Sequence, residues 1–345
     1  MIDSAVRVLV IRAGQLGDTV CASSIIEPLR DMYGDSVVID WVAKAGIGKI
    51  FLADPRIHKV FELSSRKAPF LLNKGKTAIV RESWRNPYDL VVNLELGPIF
   101  NTTVRLLKAK RKIGMPYRLF EEPAETHAVE NLRLIYQSFM DERSLNLAEP
   151  HLLGSSDNEV RSRYNLPKNY LALVPSNSHH HLPPEKNYRN WPVSHWKELI
   201  DKLSQHSRQV VIIGGKSERA FFDYLKPFPP HVVDLVGKTD FPDLIGVLAA
   251  ADGVVSTDTG PAHIAGAVDT PVFMLIGPTN PKRTAPYKTG HNFVQILSAN
   301  LSCSPCYHSV RFEQCNKNQC MYDITSDEVI KAIMNRFPET VISGQ

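Results

Sequence analysis

The chain has 345 residues, enough for two ordinary cores, and its 43% apolar and 22% charged composition excludes a largely disordered protein. A formal charge of +4 is too small to imply a nucleic-acid partner by itself, but it suits an anionic substrate or an anionic surface. No stretch approaches the roughly 20 apolar residues that span a bilayer. Met1-Ile2-Asp3-Ser4 carries an acid and runs directly into a strand-like segment, so no signal peptide is expected. The expectation is a cytoplasmic protein whose five cysteines are reduced thiols or metal ligands, not disulfides.

Residues 6–11 (VRVLVI) form a continuous β-branched run, the pattern of a strand buried on both faces. A Gly-containing turn and a helix over 19–33 follow, then strands at 37–42, 59–63, 90–94 and 112–114 with helical stretches between them, and a helix over 126–140. Strands alternating with helices imply an open parallel sheet covered on both faces. The pattern weakens over 145–168, which contains Pro150, a Gly-Ser-Ser turn and Pro167, and places a domain boundary there. A second series then runs through strands at 170–174, 209–213, 232–235, 253–256 and 272–275, and Ser326 opens a closing helix. The expected architecture is α/β: a first Rossmann-like domain over 1–160, a second over 161–325, and a terminal helix over 326–345 that packs back on the first.

Four segments carry candidate chemistry. RAGQLGD at 12–18 links the first strand to the first helix; Gly14 and Gly17 permit a tight turn and a close ligand approach. It is neither a G-x-G-x-x-G dinucleotide fingerprint nor a P-loop, since no Gly-Lys-Ser/Thr follows. Asp18 reads as an N-cap or as a catalytic base, and the two roles are compatible. YRNWP at 188–192 sets Arg189 before a helix start, either to meet phosphate oxygens or to pack its stem on Trp191. GGKSE at 214–218 follows a strand, so Glu218 either accepts from ribose hydroxyls or simply favours a helix N-terminus. STDTGPAHIAGA at 256–267 is the most specific: a strand ends, hydroxylated and small residues follow, and Pro261 opens a helix. The backbone N–H groups of Thr259 and Gly260 then form an anion nest able to hold a diphosphate without a metal, with Asp258 and His263 within a turn of it.

In this order and spacing, and with GPTNP at 277–281 and APY at 285–287, the set resembles the lipopolysaccharide heptosyltransferases of glycosyltransferase family 9 from residue 7 to beyond 290. The resemblance implies a GT-B fold of two Rossmann-like domains around a cleft, and inverting, metal-independent transfer of heptose from ADP-heptose to the Kdo/heptose inner core. It assigns Asp18 as general base and Arg189 as partner of the leaving diphosphate, where the family usually has Lys. It places Glu218, Thr257, Asp258, Thr259, Gly260 and His263 on the donor, and Arg12, Gln15, Asn93 and Glu95 on the acceptor side. Asn93 and Glu95 depart from the family's usual pair there, and Ser24 stands where Pro is common. The basic run containing Arg105, Lys108, Lys110, Arg111, Lys112 and Arg118 reads as a solvated face or, in this context, as a contact for an anionic lipid-linked core oligosaccharide, Lys110 and Arg111 included. Peripheral contact with the cytoplasmic face of the inner membrane follows from that acceptor. No cofactor is required, although Cys303, Cys306, Cys315 and Cys320 have the C-x2-C-x8-C-x4-C spacing of a structural zinc or iron site. His179-His180-His181 reads as an exposed loop. The competing readings are transfer of another sugar to a different surface glycan, a NAD-type dehydrogenase, and a non-catalytic sugar-nucleotide-binding subunit.

Overall fold

A computed structural model describes residues 5–118, 123, 125–182 and 186–338; Met1–Ser4, on which the reading of the N-terminus rests, lie outside them. The chain divides into two compact units, 1–154 and 155–345. In the first, β1 (Arg7–Ile11), β2 (Val38–Lys44), β3 (Ile57–Leu63), β4 (Tyr88–Asn93) and β5 (Ala109–Ile113) form a sheet in the order β3-β2-β1-β4-β5, every pairing parallel. In the second, β6 (Leu171–Val174), β7 (Val210–Ile212), β8 (Val232–Asp234), β9 (Gly253–Thr257), β10 (Val272–Leu275) and β11 (Val294–Leu297) are also all parallel, in the order β11-β10-β9-β6-β7-β8. Counted from its own first strand, the second sheet runs 3-2-1-4-5-6, the doubly wound order. Val8 to Ile11 and all of β10 are completely buried, as strands covered on both faces must be.

The departures from the sequence reading have local causes. The helix expected over 19–33 is two helices, Leu16–Ala22 and Ile26–Tyr33, joined by a 3-10 turn, Ser23–Ile25. Pro28 offers no N–H to the turn before it, so it falls in the first turn of the second helix, where none is needed. β5 begins three residues earlier than expected and takes Lys110 and Arg111 into the strand with Lys112. It lies at the sheet edge, where charged side chains discourage further pairing. β11 was not anticipated; only Val294 is fully buried in it, so its apolar signal is weak.

The domain boundary also moves. The helix Asp157–Tyr164, which a cut after 160 would divide, belongs wholly to the second unit. Ser155 Oγ donates to Asp243 Oδ1 at 2.7 Å, the Arg163 guanidinium and the Tyr164 hydroxyl converge on the same carboxylate, and the Asp243 N–H donates to the capping Asp240 Oδ1. The terminal helix Ser326–Arg336 packs against the helix Val193–Gln205 and β10, and its Val329, Ala332 and Ile333 lie in the core of the second unit. Trp191, fully buried, donates from its indole N–H to Ile324 O at 2.7 Å and tethers this segment to the RNWP loop.

Burial opposes the Asp243 charge, but the hydrogen bonds from Tyr164 and Ser155 and the Arg163 ion pair hold its carboxyl below the usual range. A depressed carboxyl contributes stability above its unfolded pKa and loses that contribution as pH falls through the folded value. Asp243→Asn is therefore expected to lower the stability of the second unit by about 1–3 kcal/mol at pH 7. The gap to wild type should close below about pH 4. Identical urea midpoints at pH 7 would show that this carboxylate does not anchor the helix.

Candidate active site

In a parallel sheet every loop that follows a strand lies at the carboxyl edge, where doubly wound folds bind ligands. In the first unit that edge collects Arg12, Gln15, Asp18, Asn93 and Glu95. Gln15, not Asp18, is the N-cap of the helix Leu16–Ala22; Asp18 is its third residue and reaches back to accept the Gln15 N–H at 2.8 Å through Oδ2. Its other oxygen, Oδ1, accepts from Arg12 Nη2 at 2.9 Å. Arg12 also donates to Leu94 O at 2.8 Å, fixing the guanidinium to the end of β4. Burial works against the Arg12 charge, but Asp18 and Glu95 outweigh it and raise the pKa. Gly14 has a specific reason: a Cβ there would lie 2.5 Å from Asp18 Oδ2. The carboxylate is held on two sides while its side chain stays 39% exposed, and each oxygen keeps a second lone pair for a substrate.

Glu95 is buried; Oε1 accepts the Ala13 N–H at 2.7 Å and Oε2 meets Arg66 Nη1 at 3.3 Å. Asn93 is buried too, its amide donating to Met115 O at 2.8 Å and its Oδ1 accepting from Glu95 N at 3.2 Å. Both therefore shape the loops around Arg12. Gln15 Oε1 accepts from Lys44 Nζ at 3.0 Å. Arg66 and Lys44 are additions that sequence reasoning did not single out; nothing in their local pattern marks them. Lys110 and Arg111 are not brought to this cluster. Lys110 pairs at 2.7 Å with Asp89, which also accepts the Arg7 N–H, so it lies at the opposite edge of the sheet. The five residues of β1 separate the two edges by roughly 13 Å. Arg111 donates to Ser138 O at 3.2 Å.

In the second unit the corresponding edge sets an Arg189–Asp258 ion pair beside a helix N-terminus. Thr259, extended, is the N-cap of the helix Gly260–Ala267, so its own N–H and that of Gly260 precede the first helical hydrogen bond. Asp258, just before it, makes an ion pair with Arg189 at 3.2 Å and takes a hydrogen bond from Thr284 Oγ1 at 3.4 Å. Arg189 Nη2 also donates to the Asp258 carbonyl, and the guanidinium lies 5.5 Å from the Tyr307 ring centroid. Arg189 therefore does not pack on Trp191, which is wholly in the core. Its Nε–H is buried without a hydrogen-bond partner among the described residues, as is the Thr257 hydroxyl.

The loop that presents Arg189 is fixed by three buried asparagines that sequence reasoning passed over. Asn177 donates to Asn190 Oδ1 at 2.7 Å and accepts from Asn187 at 3.1 Å. Their clustering on both sides of Arg189 was the available signal. Asn177 Oδ1 also accepts the His179 N–H at 2.9 Å, so the histidine run is ordered at this edge instead of hanging free. His179 Nε2 meets Tyr307 OH at 3.3 Å. Burial first, then the charges of Arg189, His181 and His308, lower the His179 pKa against a smaller opposing pull from Asp258. Glu218 caps the Gly215 N–H with Oε2, and its Oε1 lies 3.7 Å from His180 Nδ1. His263 sits in the first turn of the helix Gly260–Ala267.

The cysteine segment folds onto the same edge. Cys306 and Tyr307 both donate their N–H groups to Pro278 O, at 2.8 and 2.9 Å, which places Tyr307 under Arg189. Cys303 is exposed, Cys306 and Cys315 are half-buried and Cys320 is buried, where burial pushes its thiol up to about 11. A Cβ on Gly277 would lie 2.8 Å from Cys320 Sγ, so that sulfur is packed against backbone. Among the described residues no three His, Cys, Asp or Glu side chains are grouped to hold a metal ion. The four thiols are nonetheless neighbours, since Cys306, Cys303 and Cys315 each add to the rise in the Cys320 pKa that burial begins.

Two doubly wound α/β units in one chain, the second carrying an Arg–Asp ion pair beside a helix N-terminus, are the two Rossmann-like domains of a GT-B fold. The model of glycosyltransferase family 9 (heptosyltransferase) matches residues 101–317, and the chain belongs to that family. Lipopolysaccharide heptosyltransferase 3 of Escherichia coli K12 is 27% identical over 347 residues, covering 95% of this chain and 97% of that protein. Among solved structures, the chain is similar to E. coli ADP-heptose LPS heptosyltransferase II, with a TM-score of 0.72 at 20% identity over 96% and 98% of the two chains. It is also similar to an E. coli heptosyltransferase solved with ADP, with a TM-score of 0.68 at 19% identity over 96% and 99%.

Proposed function

We propose that this enzyme transfers heptose from ADP-heptose to the Kdo/heptose inner core of lipopolysaccharide, with inversion at the anomeric carbon and without a divalent metal. The observation that carries the reading is Arg189, locked by Asp258 and Tyr307 at the N-terminus of the helix Gly260–Ala267. A guanidinium, a helix N-terminus and two leading N–H groups together suit a diphosphate whose charge grows as the glycosidic bond breaks. The names of the relatives, heptosyltransferases of lipopolysaccharide and one solved with ADP, support the same donor and acceptor classes.

In this reading Asp258, Thr259, Gly260, Thr257 and His263 surround the diphosphate and sugar, and Glu218 accepts from the ribose hydroxyls. Asp18 takes the proton of the attacking acceptor hydroxyl as the new bond forms, and the bonding electrons of the old one leave with ADP. Arg12 orients Asp18, while Gln15, Asn93 and Glu95 shape the acceptor side. Lys110, paired with Asp89 at the far edge of the first sheet, takes no part in positioning the reacting hydroxyl. The acceptor is a lipid-linked, anionic oligosaccharide, so the enzyme works at the cytoplasmic face of the inner membrane; no helix among the described residues is long and apolar enough to cross it.

Asp18→Asn keeps the size and the capping contact but cannot accept the proton; kcat is expected to fall by roughly 10²–10⁴ with ADP affinity nearly intact. Near-normal turnover would place the base elsewhere. Arg189→Ala is expected to weaken ADP far more than adenosine, since only ADP carries the phosphates, and titration calorimetry with both ligands separates the cases. Equal losses would remove Arg189 from the diphosphate. Transfer to truncated lipopolysaccharide cores, read by mass spectrometry, is expected to survive EDTA; a need for added magnesium would overturn the metal-free mechanism.

A further inference from the structure

Leu71 and Leu72 are 84% and 78% exposed, and among the described residues they are the one consecutive pair of large hydrophobics so displayed. They lie on a 3-10 turn, Phe70–Leu72, between β3 and the helix Lys74–Arg85. The turn is braced from below. Lys76, 2% exposed, donates from Nζ to Arg66 O at 2.8 Å, Ala68 O at 3.1 Å and Ile99 O at 3.3 Å. Asn73, also buried, accepts the Lys76 N–H at 3.1 Å and donates to Ser65 O at 2.5 Å. The two leucines are thus held outward by a fixed scaffold instead of folding onto the core. A pocket of about 390 Å³ opens beside them, lined by Lys67, Phe70, Ile99 and Thr102 among others.

Charge identifies the occupant. From 63 to 81 the chain carries Arg66, Lys67, Lys74, Lys76 and Arg81 and no acidic residue, and Lys67 and Lys74, exposed, flank the turn. An apolar tip in a cationic skirt matches the interface of an anionic bilayer, where leucines enter the acyl boundary and ammonium groups meet lipid phosphates. We propose that the 66–74 turn is the membrane-docking element of this enzyme, with Leu71 and Leu72 inserted and Lys67 and Lys74 on anionic headgroups. The inference rests on the reading of a lipid-linked acceptor and gives it a place on the first unit. That place differs from the 105–118 run, whose Lys110 is already paired with Asp89.

The test is co-sedimentation of the full chain with vesicles of phosphatidylcholine alone or mixed with phosphatidylglycerol, at low and high salt. Wild type is expected to bind only the anionic vesicles, and less so as salt rises. The L71S/L72S variant should bind at least about tenfold more weakly. K67Q/K74Q should lose about fivefold per cation at low salt. K110Q/R111Q should change by less than about twofold, because those side chains lie outside the element. Leu71→Trp should show blue-shifted emission with anionic vesicles and quenching by brominated lipid, a readout independent of any loss in affinity. Undiminished binding by L71S/L72S, equal binding to neutral vesicles, or an unshifted Leu71→Trp spectrum overturns the proposal. ADP affinity and transfer to a delipidated, water-soluble core are followed in parallel. Their failure in wild type counts against the sugar-transfer reading, whereas their retention alongside unchanged vesicle binding counts against the docking element alone.

Discussion

Parallel pairing about a central strand is the constraint on which the rest of this structure depends. β1 lies between β2 and β4, and β9 between β6 and β10, with every strand running the same way within its sheet. All the loops that leave a strand then gather at one edge of each sheet, whatever their distance in sequence. Arg12 and Glu95 stand more than 80 residues apart, yet Glu95 accepts the N–H of Ala13 and Arg12 reaches Leu94. Arg189 and Asp258 meet for the same reason, across 69 residues.

Each site is assembled by pinning a charge from more than one direction. Asp18 is fixed by a backbone N–H and a guanidinium, and the guanidinium in turn by a carbonyl. Arg189 is fixed by a carboxylate, a carbonyl and an aromatic face, on a loop tied down by asparagine amides. Such groups need little reorganisation when charge develops on a substrate, which is how fixed dipoles and ions lower a barrier. The core supports this indirectly: Trp191, one residue beyond Asn190, is buried and bonded to Ile324, so the terminal helix steadies the loop that presents Arg189.

Charge on the first unit divides into groups that look alike in sequence. Lys110 closes an ion pair at the amino edge of the sheet and lowers the Asp89 pKa, chiefly through its hydrogen bond. Lys76 is sunk beneath a loop and spends its three donors on carbonyls. Lys67 and Lys74 are left at the surface beside two bare leucines. A basic run therefore says little until the position and partners of each ammonium are known.

The sequence alone determined the alternation of strands and helices, the two-unit plan and the motifs at 12–18, 189–192, 214–218 and 256–267, since burial on both faces and helix starts leave short-range patterns. Asp18 and Asp258 were visible in that way, each beside a helix start. Tertiary structure decided what depends on partners far along the chain. It moved the cap of the first helix to Gln15 and left Asp18 to the third position, where Arg12 can reach it. It showed β11, whose half-buried residues carry too weak an apolar signal, and assigned the helices Asp157–Tyr164 and Ser326–Arg336 to the second unit through Asp243 and the core. It also graded the exposure of the four cysteines, from Cys303 in solvent to Cys320 packed against Gly277, while keeping them close enough to raise one another's pKa. Spacing along a chain fixes local geometry only; which side chains share a site is set by sheet order, and that is a property of the whole fold.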